Sequence, residues 1–424
     1  MPVAVERAVT SRMMNRTGTL RAVAAALSAL GLILLQHPSP LSAQSVLVQV
    51  TESESQAPIN GAFISLLDQD GHPLRSALTN PSGRFLFMVG EPGTYLIRAE
   101  MIGRETRFSP PFTLGDGEVG RVALSLPVHA IPLEEIRVEA DERCRLRPDE
   151  ASEISRVWEE ARKALSVQAW TEQESLYRFR ISSYERDLDS RARIVKEERR
   201  REVDAVARAP IGSLPAGDLM TGGFVRPLED GGHQYYGPDA MVLLSDLFLD
   251  THCFRVTRSR DRPGSIGLAF EPAVEGEMPD IQGTLWLAET SAELELLEYA
   301  YTWAPHREAD GKAGGRVEFE AMPNGAWIIN RWWIRAPILA MDRNMVRFGG
   351  SGIWIAGIRE TGGEVVQVST LANQDIAGAE RGSLRGVVWD STAFGPLVGA
   401  EVYLQGTDYG AISAEGGRFS EPEM

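Results

Sequence analysis

Histidine is the residue type in this 424-residue sequence best suited to metal or acid–base chemistry, but its spacing supports neither. Zinc peptidases hold their metal with patterns such as His-x-x-Glu or His-Glu-x-x-His. The sequence has six histidines, none of which begins such a pattern: His37, His72, His129, His233, His252 and His306. Gly349-Gly350-Ser351-Gly352 continues with Ile353, where a nucleophile elbow needs glycine. We therefore expect no catalytic residue, no metal ligand, no bound cofactor and no enzymatic activity.

Acidic residues form two further candidate sites, and each has a simpler explanation. Asp68-Gln69-Asp70-Gly71 resembles the start of a calcium loop but lacks the later glutamate, so we expect a hairpin turn. Four more acidic residues fall in a Pro/Gly-rich segment: Glu271, Glu275, Glu277 and Asp280. They could bind a cation or act as paired acids, but a charged surface loop is the favoured interpretation.

Aromatic and basic clusters also invite functional interpretations. Trp327, Trp332 and Trp333 could form a platform on which a sugar stacks. Packing in the core or sheet is favoured, because large aromatic side chains are mostly buried. The basic run Arg191–Arg201 is interleaved with glutamates, which is typical of a solvated face.

The first 43 residues have the pattern of a secretory signal peptide. Four arginines precede an uncharged apolar run, Ala22–Leu35, that is short for a membrane span. We expect cleavage after Ala43; an uncleaved membrane anchor is the alternative. Cleavage removes four arginines and one glutamate, so the mature chain carries a net charge near -19 instead of -16. In an oxidising compartment the only two cysteines, Cys144 and Cys253, are expected to form a disulfide.

The acidic charge also bears on partners. A strongly acidic chain repels phosphate backbones, so we expect no nucleic acid partner. We expect no transmembrane segment in the mature chain, and the sequence leaves its oligomeric state open.

Short alternating segments separated by turn residues predict a small antiparallel β-sandwich over residues 45–126. Three motifs occur in order: Pro58-Ile59-Asn60-Gly61-Ala62, then Thr79-Asn80-Pro81-Ser82-Gly83-Arg84-Phe85, then Pro92-Gly93-Thr94-Tyr95-Leu96-Ile97-Arg98. This ordered set resembles the carboxypeptidase regulatory-like domain, which is also grouped with carbohydrate-binding-like folds. The resemblance implies a transthyretin-like sandwich of about seven strands. It also implies an accessory role, without peptidase activity.

The same motif order returns near the C-terminus. Gly395–Leu404 matches Ala57–Leu66 at an offset of 338, and Ser413–Phe419 matches Thr79–Phe85 at an offset of 334. The difference falls in a hairpin, where chain length varies most easily. We therefore expect a partial second copy of the sandwich over residues 382–424. It lacks the third motif, so either the gene model is truncated, which is favoured, or these strands pair with another molecule.

A linker, residues 127–148, leads to an α+β region over residues 149–376. Within the linker, the segment Ala130–Ala140 is similar to a short strand that follows the regulatory-like domain in TonB-dependent receptors. Asp149 can cap an amphipathic helix. The apolar face carries Ile154, Val157, Trp158, Ala161 and Leu165, and the outward face carries Glu153, Glu159, Glu160, Arg162 and Lys163.

The rest of this region alternates as strands of an antiparallel meander. Strand-turn-strand Gly283–Trp303 makes it similar to the half-barrel of periplasmic lipoprotein carriers, in which a curved sheet wraps an apolar cleft. A sheet simply packed on its helix is the alternative.

Together these patterns predict a mainly β protein with a sandwich, an α+β meander and a partial second sandwich. We expect a non-enzymatic exported protein, periplasmic or outer-membrane associated. Its sandwich modules would bind or scaffold, toward an envelope protein or a glycan. Two alternatives remain: a periplasmic carrier of a lipid or lipidated ligand, and a fragment of a TonB-dependent-receptor-like outer-membrane protein.

Overall fold

The computed structural model describes most of the chain outside the two ends and the linker. The described ranges are 44–128, 153–206, 213–229, 232–274, 278–302, 312–341, 353–372, 374–378, 384–390, 395–403 and 410–421. The predicted signal peptide, Cys144 and nearly all of the 127–148 linker lie outside them. Within these ranges the protein is mainly β, as the sequence predicts.

Residues 44–128 fold as a β-sandwich. Its strands are β1 (Gln44–Glu52), β2 (Phe63–Leu67), β3 (Pro73–Leu78), β4 (Arg84–Val89), β5 (Gly93–Glu100), β6 (Arg107–Phe108), β7 (Phe112–Leu114) and β8 (Val119–Leu126). One sheet has the order β4-β1-β8, and the other has the order β3-β2-β5-β6 with β7 also paired to β5. Val46, Val48 and Val50 are fully buried because alternate side chains of a strand share one face. The predicted sandwich is confirmed, and the short strands β6 and β7 account for the larger strand number.

One open antiparallel sheet dominates residues 153–378, here called the body. Its strands are β9 (Tyr177–Leu188), β10 (Val195–Val206), β13 (His252–Thr257), β14 (Ser265–Pro272), β15 (Ile281–Ala288), β16 (Leu294–Tyr301), β17 (Gly314–Ala321), β18 (Trp327–Met341), β19 (Ile353–Thr370) and β20 (Asp375–Gly378). Strands β13 to β19 form a meander, and β9 pairs with β19 and carries β10 on its other side. A separate hairpin consists of β11 (Val225–Pro227) and β12 (His233–Tyr235).

The longest helix of the described ranges covers one face of this sheet. The helices in these ranges are α1 (Glu153–Gln173), α2 (Ala216–Gly222), α3 (Ala240–Leu243) and α4 (Asp246–Thr251). Val157, Ala161 and Leu165 recur at helical spacing and pack in one core with sheet residues such as Leu285 and Leu297. Side chains therefore fill the apolar face of the sheet. This packing matches a sheet on its helix and argues against a half-barrel that holds a lipid.

The helix also corrects one expectation. The sequence placed Glu160 and Lys163 on the solvent face of α1, but they are 2% and 3% exposed. The expectation was wrong because the sandwich covers this face of the helix. Helical periodicity reports which residues share a face, and not what lies against that face.

The C-terminal strands are short. They are β21 (Leu384–Val387), β22 (Trp389–Asp390), β23 (Gly395–Pro396), β24 (Glu401–Tyr403), β25 (Gly410–Ile412) and β26 (Arg418–Glu421), with a 3₁₀ turn at Glu415–Gly417. The Ser413 hydroxyl donates to the Leu397 carbonyl over 2.6 Å, as the Thr79 hydroxyl donates to the Ile59 carbonyl over 2.6 Å. The hydrogen bond from the Val388 amide to the Gly417 carbonyl corresponds, at the same offsets, to the bond from Val50 to Gly83. The bond from the Gly399 amide to the Ser413 carbonyl likewise corresponds to the bond from Gly61 to Thr79.

Candidate functional site

A buried ion pair joins the sandwich to the body at a contact we call the seam, formed by α1 and residues 100–106. Lys163 Nζ donates to Glu160 Oε1 and to the Arg104 carbonyl, each over 2.7 Å. The Gly103 amide donates to Glu160 Oε2 over 2.8 Å. Buried charges are tolerated only when they are paired and hydrogen-bonded, and both conditions hold here. The sandwich therefore sits on α1 in one defined position.

A second set of charges extends the seam. Glu100 is 2% exposed, forms an ion pair with Arg162 of α1, and lies 2.9 Å from Arg98 Nε. Arg162 also donates to Glu159 over 2.8 Å. Burial opposes ionisation of Glu159, but the hydrogen bond and charge of Arg162 outweigh it and hold the pKa of Glu159 below its ordinary value. Each carboxylate of the seam thus has a cation of its own.

Two glycines bring the backbones of the sandwich and the body close together. A Cβ built on Gly61 would lie 2.6 Å from the Gly325 Cα, and one built on Gly325 would lie 2.4 Å from the Gly61 Cα. Both glycines have positive φ, which other residues rarely adopt. Asn60 Nδ2 donates to the Pro323 carbonyl over 3.1 Å at the same place. Only glycine at both positions allows this contact.

The opposite sheet of the sandwich has an edge strand that carries apolar side chains. Strand β4 pairs with β1 on one side, and no described strand pairs with its other side. Phe85, Leu86 and Met88, here called the β4 edge, are 36%, 48% and 46% exposed. An exposed strand edge offers unpaired backbone groups to another chain, and apolar side chains strengthen such pairing.

A third charged cluster lies within the body sheet, on the face away from α1. Glu360 is fully buried and accepts from Tyr184 Oη at 2.8 Å, Arg186 Nε at 2.8 Å and Arg335 Nε at 2.6 Å. Burial opposes its ionisation, but Arg186 and Arg335 outweigh burial and hold the pKa of Glu360 below its ordinary value. Since protein groups satisfy this carboxylate, the cluster ties β9, β18 and β19 together.

The calcium-like segment is the hairpin turn expected from the sequence. Asp68 Oδ1 accepts from the amides of Asp70 and His72, at 2.9 and 2.8 Å. The hydrogen bond from the His72 backbone amide is the largest of the effects on the pKa of Asp68, and it lowers this pKa below its ordinary value. Ligand atoms of Asp68, Asp70 and His72 lie within 4.8 Å of one another, but Asp70 and His72 are exposed. The hydrogen bonds of the turn explain why these three side chains lie close together.

The aromatic and basic candidates also have structural explanations. Trp327 and Trp332 are buried, at 6% and 8% exposure. Trp333 is half-buried beneath Arg335, whose guanidinium carbon lies 4.2 Å from the ring centre. The three indoles therefore do not form one exposed platform. In the basic run, Arg199–Arg201 are exposed on the edge strand β10, as a solvated face predicts.

The acidic segment is only partly described, since Glu275 and Glu277 lie outside the described residues. Glu271 Oε1 lies 2.8 Å from Arg255, and Asp280 Oδ1 lies 3.3 Å from the buried His252. Glu271 and Asp280 therefore have different neighbours. Sequence reasoning did not single out His252, which stacks on Phe248 with ring centres 3.9 Å apart.

Comparison with known families concerns the sandwich alone. The family model "Carboxypeptidase regulatory-like domain" matches residues 45–127. Residues 45–127 are a carboxypeptidase regulatory-like domain. The prediction for residues 45–126 is thereby confirmed, and the regulatory-like domain is the part of the molecule that α1 holds at the seam. No curated protein matches the chain.

Solved structures give weaker similarities. A pilus 2b backbone protein of group B streptococcus is 14% identical, with 20% of this chain and 40% of that chain covered and a TM-score of 0.18. The 5-hydroxyisourate hydrolase of Klebsiella pneumoniae is 16% identical, with 20% and 90% covered and a TM-score of 0.18. The major pilin subunit BcpA of Bacillus cereus is 10% identical, with 89% and 83% covered and a TM-score of 0.19. TM-scores this low say nothing about the overall fold or the function.

The described helices can be compared with a membrane-spanning helix in length and hydropathy. None of the helices in the described ranges combines the length and the hydropathy needed to cross a bilayer.

Sequence reasoning missed the residues that form the two buried charge clusters. The sequence analysis placed Glu160 and Lys163 on the solvent face of an amphipathic helix, and it did not single out Glu360. The spacing of Glu160 and Lys163, three residues apart, indicates an ion pair on one helix face. Nothing local to that helix indicates that a domain 57 residues away in sequence covers the pair.

Proposed function

We propose that this protein is a non-enzymatic binding or scaffolding protein of the bacterial cell envelope. Its regulatory-like domain is held on the body by the seam and presents the β4 edge to an envelope protein. The domain then acts as a fixed platform whose orientation the body determines. Partner binding adds a strand to the edge, with backbone hydrogen bonds for affinity and the apolar side chains for specificity.

The observation that carries this proposal is the exposure of Leu86 and Met88 on an edge strand. Soluble proteins usually protect such edges with charges or cover them, because exposed apolar edges pair with other chains. The charged edge strand β10 of the same molecule illustrates that protection. A protein strand suits the β4 edge better than a glycan, because its two most exposed side chains, Leu86 and Met88, have no flat ring on which a sugar could stack.

Export, the disulfide and the second copy belong to the same proposal. The N-terminal pattern supports export to the periplasm or outer membrane. Cys253 is 6% exposed on β13, as suits one end of a Cys144–Cys253 bridge. The shared hydrogen bonds at Ser413 and Thr79 support a second regulatory-like copy within residues 382–424. Mass spectrometry of a non-reduced digest of the periplasmic protein tests both the bridge and the mature N-terminus.

Binding experiments with variants that carry lysine on an edge strand test the central part of the proposal. Leu86→Lys/Met88→Lys places two cations on the β4 edge, and Leu74→Lys places one on β3, where Leu74 is 51% exposed. We expect an envelope protein recovered with the wild type and Leu74→Lys to be lost with the double variant. Equal recovery with all three proteins, or a strong signal on a glycan array, would overturn the proposal.

A further inference from the structure

A small cleft lies between the regulatory-like domain and the body, beside the seam. Its volume is about 210 Å³. The walls are largely apolar and come from both parts of the molecule: Phe63, Met101 and Ile102 from the domain, and Val167, Met322 and Trp327 from the body. Small-molecule sites are concave, mostly apolar and often located between domains.

Five polar residues of the described ranges also line this cleft, and the one cation among them is Lys163; the others are Asn60, Glu100, Ser291 and Glu293. Lys163 lines it and is 3% exposed. Its ammonium group has three N–H bonds, of which two donate to Glu160 Oε1 and the Arg104 carbonyl. Within the described part of the chain these two are the acceptors of the Lys163 ammonium group, so its third N–H bond can donate to an acceptor in the cleft. A donor fixed in this way selects a ligand by the position of its oxygen atom.

The balance of charge around Lys163 restricts the chemistry of that acceptor. Glu160 already neutralises Lys163, and Glu100 is neutralised by Arg98 and Arg162. A carboxylate in the cleft would be a buried anion without a cation of its own, which is costly. A neutral carbonyl oxygen can accept the hydrogen bond without adding charge.

We propose that the cleft binds a small, neutral and mainly apolar carbonyl compound, such as a short aliphatic or aromatic amide, ester or ketone. Its oxygen accepts the third N–H of Lys163, and its apolar part contacts Phe63, Met101 and Trp327. The cleft does not include the β4 edge, so this site is independent of the proposed partner. A bound ligand would contact both the regulatory-like domain and the body.

Binding of a matched pair of probes to the full chain tests this inference. The probes are 3-methylbutanamide and 3-methylbutanoate, which have the same carbon skeleton and differ in charge at neutral pH. Ligand-detected NMR titrations at pH 7.5 measure the dissociation constant of each. We expect the amide to bind at least tenfold more tightly than the carboxylate, at millimolar concentrations that suit so small a ligand. No binding of the amide, or equal binding of both probes, would overturn the proposal.

Variants identify the place of binding. Lys163→Met/Glu160→Gln removes the donor while leaving no unpaired charge, and should weaken amide binding at least tenfold. Ala321→Phe fills the cleft from its rim without touching the ion pair, and should also weaken amide binding at least tenfold. Ala123→Phe adds the same ring at an exposed position on β8 and should change nothing. If the double variant does not fold, Ala321→Phe decides, and unchanged binding to it would contradict the proposed site.

Discussion

The seam, where the regulatory-like domain meets the body, and the β4 edge of the same domain both reverse the usual distribution of side chains. At the seam, Glu160 and Lys163 are charged yet almost fully buried; at the β4 edge, Leu86 and Met88 are apolar yet about half exposed. Both reversals are costly in a protein that functions alone. The seam offsets its cost inside the chain by pairing each charge. The β4 edge has no such compensation within the described residues, and for this reason we assign it to a partner.

Breaking the seam should have the largest effect on stability. Lys163→Ala leaves the Glu160 carboxylate buried without its cation, which should lower the free energy of unfolding by about 3–5 kcal/mol. Urea unfolding of the full chain measures this. Lys312→Ala, at an exposed lysine of the body, should change it by no more than about 0.5 kcal/mol. Similar losses in the two variants would show that the seam is not a buried ion pair.

The cluster around Glu360 tests whether a network inside one sheet behaves as the seam does. Glu360→Gln should cost about 2–3 kcal/mol at pH 7, because hydrogen bonds to a charged group are weakened. The pKa of Glu360 is lowered from an ordinary value of 4.5, so its contribution is present above pH 4.5 and is lost as the pH falls through the folded pKa. The cost should therefore shrink toward pH 3. A cost that does not change with pH would contradict this account. The control is Glu185→Gln, which alters a partly exposed carboxylate.

Glu172, near the end of α1, shows what a half-buried carboxyl does without a cation. Burial, followed by the charge of Asp239, raises its pKa from 4.5 to about 8. The fold favours the neutral carboxyl, so stability falls as the pH rises from 4.5 toward 8. Glu172→Gln should stabilise the protein by about 2 kcal/mol at pH 9 and should not change its stability at pH 4. Thermal unfolding across this range checks it; the exposed Glu174→Gln should show no such trend.

Changes at the β4 edge should have the smallest effect on stability. Leu86→Lys and Met88→Lys alter side chains that already contact water, so each should change the free energy of unfolding by no more than about 0.5 kcal/mol. Chemical unfolding of each variant gives this number. A large loss would mean that the edge packs within the protein, and its exposure would then have no bearing on binding.

These contrasts also explain what the sequence could and could not predict. The alternation of Val46, Val48 and Val50 and the ordered Gly/Pro motifs predicted the sandwich, because period and turn chemistry are local properties. The apolar face of α1 was predicted for the same reason. Burial of Glu160 and Glu360 depends on elements far away in sequence, and a charged residue reads as exposed unless its partner is known. Alternation along β4 places Leu86 on the face opposite to the buried Phe87, but whether another element covers that face cannot be predicted from the local sequence.

Site-specific photo-cross-linking in the intact envelope tests the partner surface most directly. A photoreactive amino acid is placed at Leu86 in one variant and at Leu74, the exposed leucine on the other sheet, in a second. The account predicts a discrete protein adduct at position 86 that is absent at position 74 and is lost when Met88→Lys is added. Adducts of equal yield at both positions, or none at position 86, would contradict the assignment of the β4 edge to a protein partner.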